Sequence, residues 1–145
     1  MSRSDEIERD FEETPQRVDI ALAIPVRQGR FLVARRTADR HLGGLWEFPG
    51  GRIETKEDPA AAARRELVEE TGLRADDLEP LVVIVHDYTD RPLRLHVFLA
   101  REPAGEVRND TPREWAWRGL ADLERLEMPE ANRQILRALK WRLPG

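Results

Sequence analysis

Apolar residues alternate with smaller or polar ones from Val18 to Val26. This period of two predicts a strand with one buried face, and Pro25 within it suggests a sheet edge or the end of the strand. Gln28-Gly29 predicts a turn, and Phe31–Ala34 predicts a second strand that completes a hairpin. Residues 1–16 show no such pattern, so we expect a flexible, charged lead before one domain at 17–145.

The middle of the chain predicts one helix after a short extended segment. Leu45–Phe48 is extended, and Pro49-Gly50-Gly51 is expected to end it with a sharp turn. The alanine-rich stretch Pro59–Thr71 favours a helix. Asp58 suits the N-cap and Gly72 the C-terminal cap, with proline at the first helical position.

The last third of the chain predicts a second hairpin and helical segments. Its predicted elements are strands at Leu81–Val85 and Leu93–Leu99 joined by a turn at Thr89–Pro92, a short strand at Glu114–Trp117, a short helix at Leu120–Leu126 and a final helix at Pro129–Trp141. Strands that alternate with helices but also form hairpins indicate an α/β (α+β) fold. We therefore expect an α/β/α sandwich with a mixed β-sheet between helices.

Composition narrows the class of protein. The 145 residues are 40% hydrophobic and 36% charged, and the net charge is −4. No apolar run reaches the roughly 20 residues that span a bilayer, and the acidic start does not resemble a signal peptide, so we expect a cytoplasmic protein with no membrane partner. The absence of cysteine excludes disulfides and thiolate metal sites. The negative charge argues against a nucleic acid polymer as partner.

Three glutamates carry the candidate chemistry. Glu66, Glu69 and Glu70 are spaced so that a helix places them on one face. Their mutual repulsion destabilises an empty helix, and hard oxygen ligands without nitrogen or sulfur favour Mg²⁺, or Mn²⁺, over zinc. The opposite face, which includes Ala63 and Leu67, can pack on the sheet. A merely solvated acidic face is the alternative, and for spacing alone it is the commoner case.

The segment that contains these glutamates resembles the signature of the Nudix hydrolases. The pattern is matched at Gly51, Glu57, Arg65, Glu66, Leu67, Glu69, Glu70, Gly72 and Leu73. Outside it, the stretches 31–36, 44–51 and 128–132 resemble the MutT-like branch of the family. Since the match is long and specific, it outweighs the solvated-face alternative.

The resemblance implies roles for individual residues. Glu66, Glu69 and Glu70 are expected to bind the divalent cation together with the carbonyl of Gly50, and Glu66 is also the leading candidate to activate water. Arg65 is expected to orient a glutamate through a charge-assisted hydrogen bond.

Supporting and substrate-binding residues follow from the same resemblance. Gly51 and Glu57 are expected to support the cation site from behind, Glu57 by bracing its loop or Arg65. Asp110, in the loop before the late tryptophans, is a candidate additional ligand, with Glu106 and Glu114 as the alternatives.

Base recognition is expected at Arg36, Phe48 and Asn132, because an amide suits a purine edge. A strand-end surface charge is the alternative for Arg36, and a helix-start residue is the alternative for Asn132. The four tryptophans could also stack on a base, although core packing is the commoner role.

The predicted activity is hydrolysis of a nucleoside triphosphate to the monophosphate and pyrophosphate, with 8-oxo-dGTP as the leading substrate and nucleotide sanitation as the role. CTP-like nucleotides, dinucleotide polyphosphates or nucleotide sugars are alternatives within the family. A non-catalytic nucleotide-binding module is the alternative outside it. The small-molecule nucleotide is the expected partner, and the chain is expected to be a monomer or a homodimer.

Overall fold

A computed structural model describes residues 17–39, 43–88 and 91–143. The predicted lead at 1–16 and part of the predicted turn at 89–92 lie outside these ranges. The elements are β1 (Val18–Arg27), β2 (Arg30–Arg35), β3 (Trp46–Glu47), β4 (Gly50–Arg52), α1 (Pro59–Thr71), β5 (Glu79–Tyr88), β6 (Arg91–Arg101), β7 (Glu114–Arg118), α2 (Leu120–Leu123) and α3 (Asn132–Arg142). None of the helices within these ranges combines the length and the apolar character that a bilayer crossing requires.

The strands form one sheet of mixed direction, as predicted. Its main order is β3-β2-β1-β6-β5, while β4 pairs with β1 and β7 pairs with β2. β1 runs parallel to β6, and the remaining pairs are antiparallel. The predicted β1–β2 hairpin is confirmed, with Gln28 and Gly29 both at positive φ in the turn.

Two hydrophobic clusters cover the two faces of the sheet. Ala21 and Ala23 of β1 belong to the cluster under α1, and Leu22 and Ile24 belong to the cluster that includes α2 and α3. The prediction that only one face of β1 is buried is therefore wrong. Its alternate positions are small on one side and large on the other, so α1 approaches the sheet closely over a surface of alanines.

Pro25 lies in a central strand and not at an edge. It is opposite Ala100 in the parallel β1–β6 pair, while the antiparallel ladder to β2 reaches only to Val26. Proline has no N–H to donate, so its nitrogen is tolerated where β1 and β2 have already separated. Pro25 therefore lacks an N–H donor, as the sequence indicates, but the expectation that it marks an edge strand is wrong.

Several other boundaries differ from the sequence expectations. Gly50 and Gly51 form part of β4 instead of a sharp turn, and neither has a positive φ. Arg91 and Pro92, predicted in a turn, already belong to β6. The two late helices are shorter at one end than predicted: α2 stops at Leu123, and α3 begins at Asn132.

The boundaries of α1 agree with prediction at both ends. The Asp58 carboxylate accepts hydrogen bonds from the amides of Ala60 and Ala61, at 3.1 and 3.4 Å. At the other end Gly72 adopts φ 82°, and its amide donates to the Val68 carbonyl. The buried Thr71 hydroxyl donates to the Leu67 carbonyl and accepts from the Leu73 amide. These bonds fix the rotation of α1, and so fix which residues face away from the sheet.

Replacing Gly72 by alanine is expected to lower the free energy of unfolding by about 1–2 kcal/mol, because L residues are strained in the left-handed region. The new Cβ would also lie 2.9 Å from Cγ of Arg108. Gly29→Ala is the matched control, since Gly29 has φ 75° with nothing within 4 Å of an added Cβ. Urea unfolding measures both variants. A smaller loss for Gly72→Ala than for the control would contradict the contact argument.

Candidate active site

The acidic face of α1 lies against β4. Glu66 is largely buried, with 15% of its side chain exposed, and Glu69 is 57% exposed. A Cβ added at Gly51 would lie 2.5 Å from the carboxylate carbon of Glu66. At Gly50 an added Cβ would collide with the Ala21 carbonyl oxygen. Gly51 therefore allows β4 to lie close to Glu66, and Gly50 allows β4 to lie close to β1.

Arg65 forms hydrogen bonds with two glutamates of this face. Its Nη1 donates to Glu66 at 3.0 Å and to Glu69 at 3.2 Å. Its Nε and Nη2 bind both oxygens of Glu57, at 2.8 and 2.9 Å. The Arg65 hydrogen bonds lower the pKa of Glu57 to about 2, helped by the Glu54 amide, and the pKa of Arg65 itself is raised by Glu57. Glu57 therefore stays ionised at neutral pH and fixes the arginine.

Glu70 lies deeper in the structure. Burial raises its pKa to about 7, against the opposing charge of Arg113, and the charges of Glu66 and Glu47 raise it further. In the absence of a cation, this carboxyl therefore titrates near neutral pH.

Arg113 joins Glu70 to a second acidic residue. Its Nη1 donates to Glu70 at 2.9 Å, its Nη2 donates to Glu47 of β3, and its guanidinium lies 5.3 Å from the Trp115 ring centre. Glu47 in turn accepts from Arg36 at 2.7 Å. A continuous chain of charge-assisted hydrogen bonds thus connects the acidic face of α1 to Arg36.

The sequence did not point to Arg113 or to Glu47. Arg113 is 43 residues from Glu70 along the chain, and no spacing rule links them. Glu47 is within the predicted strand next to Phe48, where alternation alone gives it no partner. Only the pairing of β2 with both β3 and β7 brings the two residues together.

The three glutamates do not yet converge as a coordination shell. Within residues 17–39, 43–88 and 91–143, no group of three His, Asp or Glu side chains is arranged to hold a metal ion. The reason is visible in the contacts: Arg65 draws Glu66 and Glu69 to one side, and Arg113 draws Glu70 to the other.

Asp110 is connected to α1 through Arg108. Both its oxygens accept from Arg108 at 3.0 Å, and these bonds lower the pKa of Asp110. Arg108 then donates to the Glu69 carbonyl at 3.0 Å. The alternative candidates pair with other arginines: Glu106, which is 94% exposed, pairs with Arg27, and Glu114 pairs with Arg35.

The residues expected to bind the base have different surroundings. Arg36 is paired with Glu47, and none of the described residues provides a hydrogen-bond partner for its buried Nε. Phe48 is 2% exposed within the cluster that also contains Ala131, and the neighbouring Asn132 is 5% exposed. Asn132 is the first residue of α3, as the helix-start alternative expects, while the N-cap position belongs to Ala131. Its burial is an additional feature that the position in the helix does not predict.

Known proteins resemble this chain in sequence and in structure. A family model described as a NUDIX domain matches residues 20–138. The chain is 32% identical over 108 residues to the 8-oxo-dGTP diphosphatase of Escherichia coli K12, covering 74% of this chain and 84% of that protein. It is 36% identical over 81 residues to the CTP pyrophosphohydrolase of the same strain, covering 56% and 60%. The crystal structure of MutT NUDIX hydrolase from Burkholderia pseudomallei superposes with a TM-score of 0.74 at 28% identity, covering 86% and 99%.

The raised pKa of Glu70 predicts how the stability of the cation-free protein depends on pH. The folded state binds this proton more tightly than the unfolded state, so stability is fully present below about 4.5 and is lost as pH rises through about 7. Glu70→Gln should remove that loss, which we expect to be roughly 1–3 kcal/mol. Chemical unfolding in EDTA at several pH values measures it, and parallel pH profiles for the two proteins would contradict the burial argument.

Proposed function

Because the chain belongs to the Nudix hydrolase family, in its MutT-like branch, we propose that it is an Mg²⁺-dependent nucleoside triphosphate pyrophosphohydrolase. We propose further that it acts on oxidised nucleotides such as 8-oxo-dGTP. Mn²⁺ is the alternative cation. The observation that carries the proposal is the acidic face of α1, where three glutamates lie on one side of the helix beside β4 and pair with two arginines.

The donor set fits a hard divalent cation. Glu66, Glu69 and Glu70 supply carboxylate oxygens, and we propose that the carbonyl of Gly50 completes the protein ligands. The cost of ionising Glu70 in a buried place supports this, because a cation there would stabilise the ionised form. When bound, the cation neutralises phosphate charge and makes water a better nucleophile.

The remaining residues of the acidic face position these ligands. Glu57 fixes the Arg65 guanidinium through two hydrogen bonds, and Arg65 directs Glu66 and Glu69. We propose that Glu66 accepts a proton from the attacking water. Arg65 binds Oε1 of Glu66, and this contact orients the carboxylate. The product would be a nucleoside monophosphate, with pyrophosphate as the leaving group.

The base is proposed to bind at Arg36, Phe48 and Asn132. Asn132 supports this because an amide buried to 5% exposure offers both donors and acceptors to a purine edge. The buried Nε of Arg36 is a further donor, for which none of the described residues provides a partner. Asp110 remains a proposed additional cation ligand, and it would first have to leave Arg108.

CTP is the second candidate substrate, because one relative with 36% identity is a CTP pyrophosphohydrolase. A non-catalytic binding module is disfavoured, since every glutamate of the family signature is present.

A nucleotide panel tests the proposal. Purified protein is incubated with 8-oxo-dGTP, dGTP and CTP, with Mg²⁺, with Mn²⁺ or with EDTA, and pyrophosphate release is measured. We expect Mg²⁺-dependent release, with 8-oxo-dGTP giving the highest kcat/KM. A preference for CTP would replace the substrate while keeping the reaction. No turnover of any nucleotide with either cation would overturn the proposed function.

Glu69→Gln and Glu70→Gln are each expected to reduce kcat by about 100-fold or more, since charge stabilisation by a divalent cation is worth several kcal/mol. Thermal unfolding without cation should change little or improve, because removing a crowded charge relieves repulsion. Glu124→Gln is the control, since Glu124 pairs with Lys140 of α3, outside the acidic face. Unchanged turnover in both variants would eliminate their ligand role.

A further inference from the structure

A cavity of about 340 Å³ lies on the α1 face of the sheet, beside the acidic face but separate from its carboxylates. The cavity is lined by Leu32 of β2 and by Trp115 and Trp117 of β7. Residues of the loop 107–113 provide the rest of the lining. The volume is at the lower end of the range for small-molecule sites. The two tryptophans and Leu32 give it a flat, apolar surface.

Two side chains that line this cavity each carry a buried polar atom to which the described residues offer no hydrogen-bond partner. The two atoms are the indole Nε1 of Trp115 and the hydroxyl Oγ1 of Thr111. A buried polar group without a hydrogen bond is costly, and native structures satisfy such groups with protein, water or a ligand. The indole N–H can only donate, so its partner must present an acceptor atom.

The charged groups around the cavity are already paired. Arg113 binds Glu47 and Glu70, and Arg108 binds both oxygens of Asp110. The atoms left to recognise a ligand are therefore neutral hydrogen-bonding groups beside aromatic rings. An isolated phosphate does not match this lining, whereas a planar heterocycle with ring nitrogen or carbonyl acceptors does.

We propose that the cavity bordered by Trp115, Trp117 and Thr111 is a second nucleobase site. A base would lie along the tryptophan surface and present an acceptor atom to the Trp115 indole N–H, with the Thr111 hydroxyl as a second hydrogen-bonding group. This inference rests on the proposed function for its ligand class, because a nucleotide bound at the acidic face brings a heterocycle close to the cavity.

The site is distinct from the base site proposed above. Trp115 and Trp117 pack on the cluster under α1, whereas Phe48 belongs to the cluster on the opposite face of the sheet. Arg113 connects the cavity to the acidic face, since it borders the cavity and donates to Glu70 at 2.9 Å. The heterocycle is either the base of the nucleotide itself or a ring attached beyond its phosphates.

NMR of the indole N–H groups tests the proposal without turnover. The full chain, ¹⁵N-labelled and kept in EDTA, is titrated with the phosphate-free nucleosides adenosine and cytidine. Trp115→Phe, which keeps an aromatic ring but removes the donor, identifies the Trp115 signal by its disappearance. We expect this signal to move downfield in a saturable way with at least one nucleoside.

Two variants and a control define the outcome. Thr111→Val should weaken nucleoside binding by about fivefold, the factor that one hydrogen bond typically contributes. Trp115→Phe should weaken it by a similar factor. Because this variant lacks the Trp115 indole, its binding is followed at the Trp117 signal. Trp141→Phe is the matched control, because Trp141 is 88% exposed on α3, and its affinity should equal that of the wild type. A Trp115 signal that no nucleoside shifts, or affinities unchanged in both variants, indicates a water-filled cavity only and overturns the proposal.

A second titration identifies the source of the ring. A non-hydrolysable nucleoside triphosphate analogue is compared with a dinucleoside polyphosphate analogue, each with Mg²⁺. A Trp115 shift with the mononucleotide means that the site takes the base of the substrate itself, and a shift only with the dinucleotide means that it takes the second ring. Because the first titration needs neither cation nor hydrolysis, failure of the proposed activity would leave its result unaffected.

Discussion

Repulsion between like charges is the constraint around which this protein is built. Glu66, Glu69 and Glu70 lie on one helical face, and two of them are mostly buried. The structure compensates with two arginines that approach from opposite sides, each anchored by a further glutamate outside the helix. The arrangement therefore maintains a concentration of carboxylates that a solvated helix would disperse.

Small residues make that arrangement possible. The alanines of β1 and α1 allow the helix to lie close to the sheet, and Gly51 leaves room for the Glu66 carboxylate against β4. Larger side chains at these positions would push the helix outward and separate the acidic face from the loops that complete it. Packing and chemistry thus depend on the same few positions, so the tolerance for substitution under α1 is low.

Much of this could be read from the sequence, and the failures have physical causes. The ends of α1 were predictable because Asp58 and Gly72 act through local backbone geometry. Pro25 and the Gly50-Gly51 pair were misplaced because local rules cannot tell which strand lies next to which. The network through Arg113 and Glu47 was missed for the same reason: it exists only once β2 lies between β3 and β7. Asn132 was singled out through family resemblance, since its local position suggests only a residue at a helix start, and the N-cap itself is Ala131.

The parallel pairing of β1 with β6 has a consequence for how the protein is assembled. Val18 lies opposite Leu93, so the two central strands come from distant parts of the chain, and α1 belongs to the connection between them. Closing so long a connection carries an entropic cost before any contact rewards it, and topologies of this kind fold slowly. During synthesis, the acidic helix emerges well before the strand that completes the central pair beneath it. The newly made chain therefore carries its concentrated negative charge for some time without the sheet that will support it.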